Sequence, residues 1–165
     1  MGAKRFCKER ILPLLDKRFS DATELMVAID PAAGQRAQTD ERTVQQIFKE
    51  ILGIPVVLAH SNLFEPRKEA VDHYLSGITE MGPAFLIDPR CKVLIRGFGT
   101  GYRYDINRKG VKDERPAKNQ YSHPHDANQY LCMAFLKNAA QQARRRRAQQ
   151  LKVRTGVSRN VYAAR

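Results

Sequence analysis

Two carboxylates stand where a fold can hold them rigidly. Asp30 directly follows the apolar run Leu25–Ile29, and Asp126 closes the polar string Tyr121-Ser-His-Pro-His-Asp126. A carboxylate at the mouth of a buried strand keeps its charge fixed in space and still meets solvent, which suits a metal ligand. Paired acids sharing one or two Mg2+ or Mn2+ ions make a phosphodiester-cleaving site. One ion activates water and the other stabilises the leaving oxygen, with the ions ~3.5–4 Å apart. Spacing alone leaves plainer roles open: Asp126 can cap a helix, and Asp30 can be a turn carboxylate before Pro31. His125, beside Pro124, has the reach to touch a metal-bound water or a scissile phosphate; its plainer role is loop packing and capping. His60 and Asn62 can hydrogen-bond nearby.

The elements that must position these groups alternate. Leu25–Ile29, closed by Pro31 and Gly34, reads as a strand buried on both faces. A polar loop follows. Then Val44, Ile47, Phe48, Ile51 and Leu52 make one helical stripe, with Thr39 or Asp40 able to cap it and Gly53 ending it. Pro55–Ala59 is a second strand. Pro66 suits the first turn of a second helix, whose inner face is Ala70, Val71, Tyr74, Leu75 and Ile78. Pro83–Ile87 is a third strand-like run ending at Asp88. Cys91, Leu94, Ile95 and Phe98 suggest a short helix stopped by Gly97 and Gly99. Tyr102 and Tyr104 fit a half-exposed strand, residues 107–116 a loop or hairpin tip, and Ala127, Tyr130, Leu131, Ala134 and Phe135 a final helix with Asp126 in its first turn. This alternation predicts an α/β fold with connections on the faces of a sheet.

The chain is long enough, at 165 residues, for one domain with a core. Its 29 Lys and Arg against 17 Asp and Glu leave a net charge of +12. An excess of that size favours a polyanionic partner, with nucleic acid the usual one. The three cysteines, Cys7, Cys91 and Cys132, are far apart and form no C-x-x-C pair. Neither a disulfide framework nor a zinc site is expected, and each reads as a small buried residue. No secretory signal or membrane span is indicated, so a soluble intracellular protein is expected.

Four strings then fall in a telling order: D-P-A-x-G-Q-R-x-Q-T-D-E-R-T from Asp30 to Thr43, P-R-C-K from Pro89 to Lys92, G-x-G-Y-x-Y from Gly99 to Tyr104, and K-N-x-Y-S-H-x-H-D-A-x-Q-Y-L from Lys118 to Leu131. Together they resemble the C-terminal nuclease domain of the large terminase subunit, the DNA-packaging motor of tailed phages. The resemblance spans roughly Glu24 to Met133. It implies a ribonuclease H-like α/β fold, a mixed central sheet flanked by helices. It also implies acids binding one or two Mg2+ or Mn2+ ions, and cutting of concatemeric double-stranded DNA in the cytoplasm of an infected bacterial host. Asp30 matches the first-strand ligand and Asp126 the ligand opening the last helix. The family's further strand-end acid is absent, since the matching position reads Ala59-His-Ser-Asn62. Asp40, then Asp88, and after them Glu65 are the replacements to consider; Asp40 is otherwise a helix cap and Asp88 a turn residue before Pro89. No phosphate-binding loop of the family's ATPase motor is present, so the chain is expected to be an isolated nuclease domain or a stand-alone relative. Motor domain, small terminase subunit and portal are the implied partners.

On this reading residues 1–20 are a basic lead-in, 21–140 the nuclease domain and 141–165 a basic tail. Arg36, Arg42, Arg67, Arg90, Lys92, Arg96, Arg103, Arg108, Lys109 and Lys112 can line a phosphate-tracking face, joined by Arg144 and Arg145 of the tail. No recognition-helix signature appears, so cutting is expected to be largely independent of sequence. Two other classes stay in view: a DNA-binding or assembly module without catalysis, and another ribonuclease H-like nuclease such as a junction resolvase.

Overall fold

The computed structural model of the chain describes residues 1–37 and 40–136, with the backbone only at 36, 37, 40 and 41. The chain divides into two units, Met1–Ala134 and Phe135–Arg165; the contacts below all lie within the first. The first helix, α1, is α-helical over Ala3–Phe6, widens to a π-helix over Cys7–Ile11 and returns to α over Leu12–Phe19. Strand β1 (Val27–Ile29) and β4 (Val56–Leu58) pair in parallel, Ala28 opposite Val57. Between them lie the short antiparallel pair β2 (Arg36–Ala37) and β3 (Asp40–Thr43) and helix α2 (Val44–Leu52). Helix α3 (Phe64–Leu75) follows, then the hairpin β5 (Ile78–Thr79) and β6 (Gly82–Pro83). Helix α4 (Lys92–Arg96), a second hairpin of β7 (Tyr104–Ile106) and β8 (Lys112–Pro116), and α5 (122–136) complete the described chain. This is an α/β protein; among the described residues its strands pair two by two.

The expected stripe of α2 is the wall of the core. Phe48 and Leu52 are buried with Cys7 and Val56, and Val44, Ile51, Val27 and Ile29 pack around them. Its cap differs from expectation. Thr43 accepts from the Gln46 N–H while the Gln46 side chain accepts from the Thr43 N–H, a capping box, so Asp40 is left in β3. Gly53 closes the helix at φ 65°, a left-handed cap that a glycine takes without strain. Helix α1 packs against the same core. Ala3, Cys7 and Ile11 face the core, whereas Leu12 and Leu14 are exposed.

Three other expectations change. Pro83–Ile87 is not a strand: Gly82 and Pro83 fold back on Ile78 and Thr79, and a proline without an N–H cannot serve a central ladder. Ile78 is therefore in the hairpin and exposed rather than on the inner face of α3. Cys7 and Cys132 are buried, but Cys91 is exposed. The glycines after α4 do not stop it; the chain widens into a π-helix over Gly97–Gly101, with the Tyr102 N–H donating to the Gly97 carbonyl.

That π-helix makes room for a ring. The His125 imidazole, only 3% exposed, stacks on Tyr102 (centroids 4.5 Å apart, planes 8° apart) and meets Phe98 edge-on. A Cβ on Gly97 would lie 2.0 Å from His125 Nε2. Because the ring is enclosed, Gly97→Ala is expected to destabilise the fold by ~1–3 kcal/mol through overpacking. Urea unfolding checks this, and a Gly97→Ala protein as stable as the parent would show that the ring can give way.

Candidate functional site

Asp30 lies at the end of β1, where it caps the 3-10 turn Pro31–Gly34: its Oδ1 accepts the Ala32 N–H at 2.7 Å. Its Oδ2 accepts from the Tyr130 hydroxyl at 2.8 Å, across 100 positions of chain. The same hydroxyl lies 2.6 Å from the Asn62 side-chain amide, which follows β4. A hydroxyl has one proton to give. The Asn62 atom that faces it is Oδ1, so the proton serves Asp30 or Asn62, one at a time. Asn62 thus joins the end of β4 to the end of β1 through the Tyr130 hydroxyl.

Asp126 sits one helical turn before Tyr130 on α5, so the two side chains share a face. The helix begins earlier than expected, at 122. Asp126 is therefore not a cap; at the helix start the Asn119 side chain accepts the Tyr121 N–H instead. Asp126 Oδ1 accepts from Arg67 Nη1 at 2.8 Å and Oδ2 from Lys118 Nζ at 3.0 Å. The Arg67 guanidinium lies 5.2 Å from the centre of the Tyr130 ring, a cation–π contact. A continuous chain of contacts, Asn62–Tyr130–Asp30 and Tyr130–Arg67–Asp126–Lys118, thus gathers five separate stretches of sequence at the end of the parallel pair.

The two cations on Asp126 differ. Arg67 is 8% exposed and fixed under two rings, whereas the Lys118 side chain is 76% exposed. A solvated lysine contact is worth ~0–1 kcal/mol. Lys118→Ala is accordingly expected to leave stability within about 1 kcal/mol of the parent, read by urea denaturation; a larger loss would mean that Lys118 is part of the fixed frame.

The Tyr130 hydroxyl is pushed up to about 12 by burial and by its hydrogen bond to Asp30. The native state therefore holds this proton more tightly than the unfolded chain, whose tyrosines titrate near 10. Its stabilisation is whole below pH ~10 and is lost as the pH rises toward about 12. Tyr130→Phe is expected to flatten the alkaline loss of stability over that window, measured by denaturation at successive pH values; an unchanged profile would remove Tyr130 from the linkage.

The other expected site residues fall elsewhere. Asp88 is exposed and forks onto Arg90 next to it, accepting from Arg90 Nε at 2.8 Å; this pairing holds its carboxyl well below the usual range. Arg90 is correspondingly spent on a local turn. His125 lies in the aromatic cage under Gly97, and burial lowers its pKa. It is a packing residue there, not an exposed acid or base. Arg67, expected on a phosphate-tracking face, is a buried partner of an acid. Arg42 bonds Glu50, while Lys92, Arg103 and Lys109 are exposed. The side chains of Arg36 and Asp40, and Arg144 and Arg145 of the tail, lie outside the described residues. Glu65 is exposed in the first turn of α3.

Tyr130 and Lys118 were not legible as site residues, and Arg67 was expected at a phosphate rather than at an acid. Tyr130 reads as core stripe, and Lys118 as surface charge. The buried face of α5 is also mixed rather than apolar: His125, Asn128 and Gln129 are buried while Leu131 is exposed.

Among the described residues no three of Asp, Glu, His or Cys gather at one point. The donor chemistry of the pair nevertheless suits a hard divalent cation. Asp30, Asp126 and the Asn62 amide offer oxygen, and Mg2+ commonly takes one or two carboxylates with water and substrate phosphate filling the rest. Asp30 has used about two of the roughly four lone-pair positions of a carboxylate, and the exposed Lys118 can leave Asp126. Among the described residues no helix is long and apolar enough to cross a membrane. Comparison with protein-family models, curated proteins and solved structures returned no match.

Proposed function

We propose that the chain is a metal-dependent endonuclease of double-stranded DNA, with β1 and β4 as the parallel centre of a ribonuclease H-like fold. The observation that carries this reading is the Tyr130 bridge. It ties Asp30 to the helix face that holds Asp126, although the acids are nearly a hundred positions apart. Asp30 and Asp126 would hold Mg2+ or Mn2+. The ion supplies Lewis acidity at the phosphodiester and lowers the pKa of water. Tyr130 and the Ala32 N–H orient Asp30, Arg67 orients Asp126, and Lys118 is placed to transfer its charge from Asp126 to a DNA phosphate. The net charge of +12 favours the polyanion without reading its bases. The motif strings are similar to those of the phage terminase nuclease. On that basis the substrate is concatemeric phage DNA in the host cytoplasm, and motor, small subunit and portal are the partners.

A second reading has one specific observation behind it. Both Asp126 oxygens face cations, as they would in a DNA-binding or assembly module without catalysis. Incubating the full chain with plasmid and Mn2+ or Mg2+, with and without chelator, separates the two. Nicked and linear DNA that vanishes with chelator is expected. Duplex binding that weakens steeply with salt, but no cutting with either ion, would leave the second reading standing.

A further inference from the structure

Beside the acids, α3, the π-helix, the second hairpin and α5 line a partly open cavity of about 220 Å3. Its walls are rings: Phe64, Phe98, Tyr102, Tyr104 and His125. Gln129 also lines it and is 4% exposed. The Gln129 Nε2 donates to the Tyr102 hydroxyl at 3.2 Å, while Oε1 has no hydrogen-bond partner. A buried amide oxygen without a donor is costly, and a turn of the side chain into the cavity would let a ligand N–H satisfy it. Lys68 and Asp72, paired with each other, lie at the same cavity. Phe64 is shared with the acid cluster, since the Arg67 guanidinium lies 5.9 Å from its ring.

We propose that this cavity receives one nucleobase, either of a free nucleotide or of an unpaired stretch of nucleic acid. Aromatic walls select a flat ring, because stacking needs only a π-face. The unpaired Gln129 amide selects a ring with polar groups in its plane, which a hydrocarbon ring lacks. The volume is below the ~300–1,000 Å3 of sites for drug-sized ligands, which fits a single base. The chain's positive charge favours a ligand that carries phosphate. The inference rests on the nucleic-acid part of the proposed function and not on cleavage.

The test is equilibrium binding of the full chain, at low salt and without divalent ions, to a labelled single-stranded oligonucleotide and to an abasic strand of equal length. Adenosine and thymidine monophosphates serve as competitors. The base-bearing strand is expected to bind about tenfold more tightly, the scale of one base stacked on aromatic side chains. Leu75→Trp fills the cavity from a position 50% exposed, and Phe98→Ala removes a half-exposed wall. Both are expected to erase that margin and leave duplex binding unchanged. Competition by the monophosphates assigns the site to free nucleotides, and its absence beside the margin assigns it to a strand; either supports the proposal. Equal affinity for both strands, or a margin that survives in both variants, would overturn it. A wild-type chain that binds no strand at all would instead overturn the nucleic-acid reading on which it rests.

Discussion

Asp30→Asn is expected to remove Mn2+-dependent plasmid cleavage, by at least about a hundredfold, the rate counterpart of ~3 kcal/mol of lost charge stabilisation at the phosphodiester. The substitution keeps the shape of the side chain. Asparagine can still accept the Ala32 N–H through its oxygen, so the 3-10 turn keeps its cap. It cannot offer a full negative charge to a divalent ion, and the Tyr130 hydroxyl loses a charged acceptor. Duplex affinity at low salt is expected to stay level or rise slightly, because a negative charge has been removed from a basic protein. Loss of cutting with binding and circular dichroism intact supports the site. Full activity in Asp30→Asn would reject Asp30 as a ligand and, with it, the nuclease reading built on this pair.

Arg67→Met is expected to produce the largest loss of stability of any single change at the site. Removing one partner of a buried ion pair costs ~3–5 kcal/mol when the other charge is left behind; with the exposed Lys118 still on Asp126, ~3 kcal/mol is the expectation. The guanidinium also covers the Tyr130 ring, so its removal opens the packing that holds the Asp30 bridge. Arg67→Lys keeps the charge but not the planar fork, and is expected to fall between parent and Arg67→Met. Adding Asp126→Asn to Arg67→Met is expected to restore part of the stability, because the carboxylate without its arginine is gone. Urea midpoints of the four proteins decide this. If the double variant is no more stable than Arg67→Met, the uncompensated charge is not the cause of the loss.

These two results bear on different links. The first asks whether the acids do chemistry; the second asks what holds one of them in place. Arg67 acts through packing and Tyr130 through its hydrogen bonds, so their variants are expected to change stability along with activity, whereas Asp30→Asn keeps the fold and is expected to act mainly on activity.

How much of this was written in the chain can be judged residue by residue. The strand before Asp30, the stripe of α2 and the αL cap at Gly53 were readable because each depends on a local pattern: an apolar run, a 3.6-residue period, a backbone angle that favours glycine; the strand is shorter than the run, Val27–Ile29, and half-buried rather than buried on both faces. The β7–β8 hairpin was foreshadowed in part by its charged tip, where the Asn107 side chain accepts from the N–H groups of Lys109 and Val111, although Lys112–Pro116, expected within the tip, is strand β8. Local pattern failed where a partner decided the outcome. Leu131 follows the apolar period of α5 yet is exposed, while His125 and Gln129 break that period and are buried. Histidine is accepted inside because Tyr102 and Phe98 close around it, and glutamine because the Tyr102 hydroxyl accepts one hydrogen bond from it.

The sequence by itself determined the α/β alternation, the basic charge and the placing of Asp30 at the end of a strand, since these depend on residues close together in the chain. Only the tertiary structure decided that Tyr130 reaches Asp30 and that Arg67 serves an acid rather than a phosphate. Side-chain partners are chosen by distance in space, and contacts across 59 or 100 positions leave no trace in a local pattern.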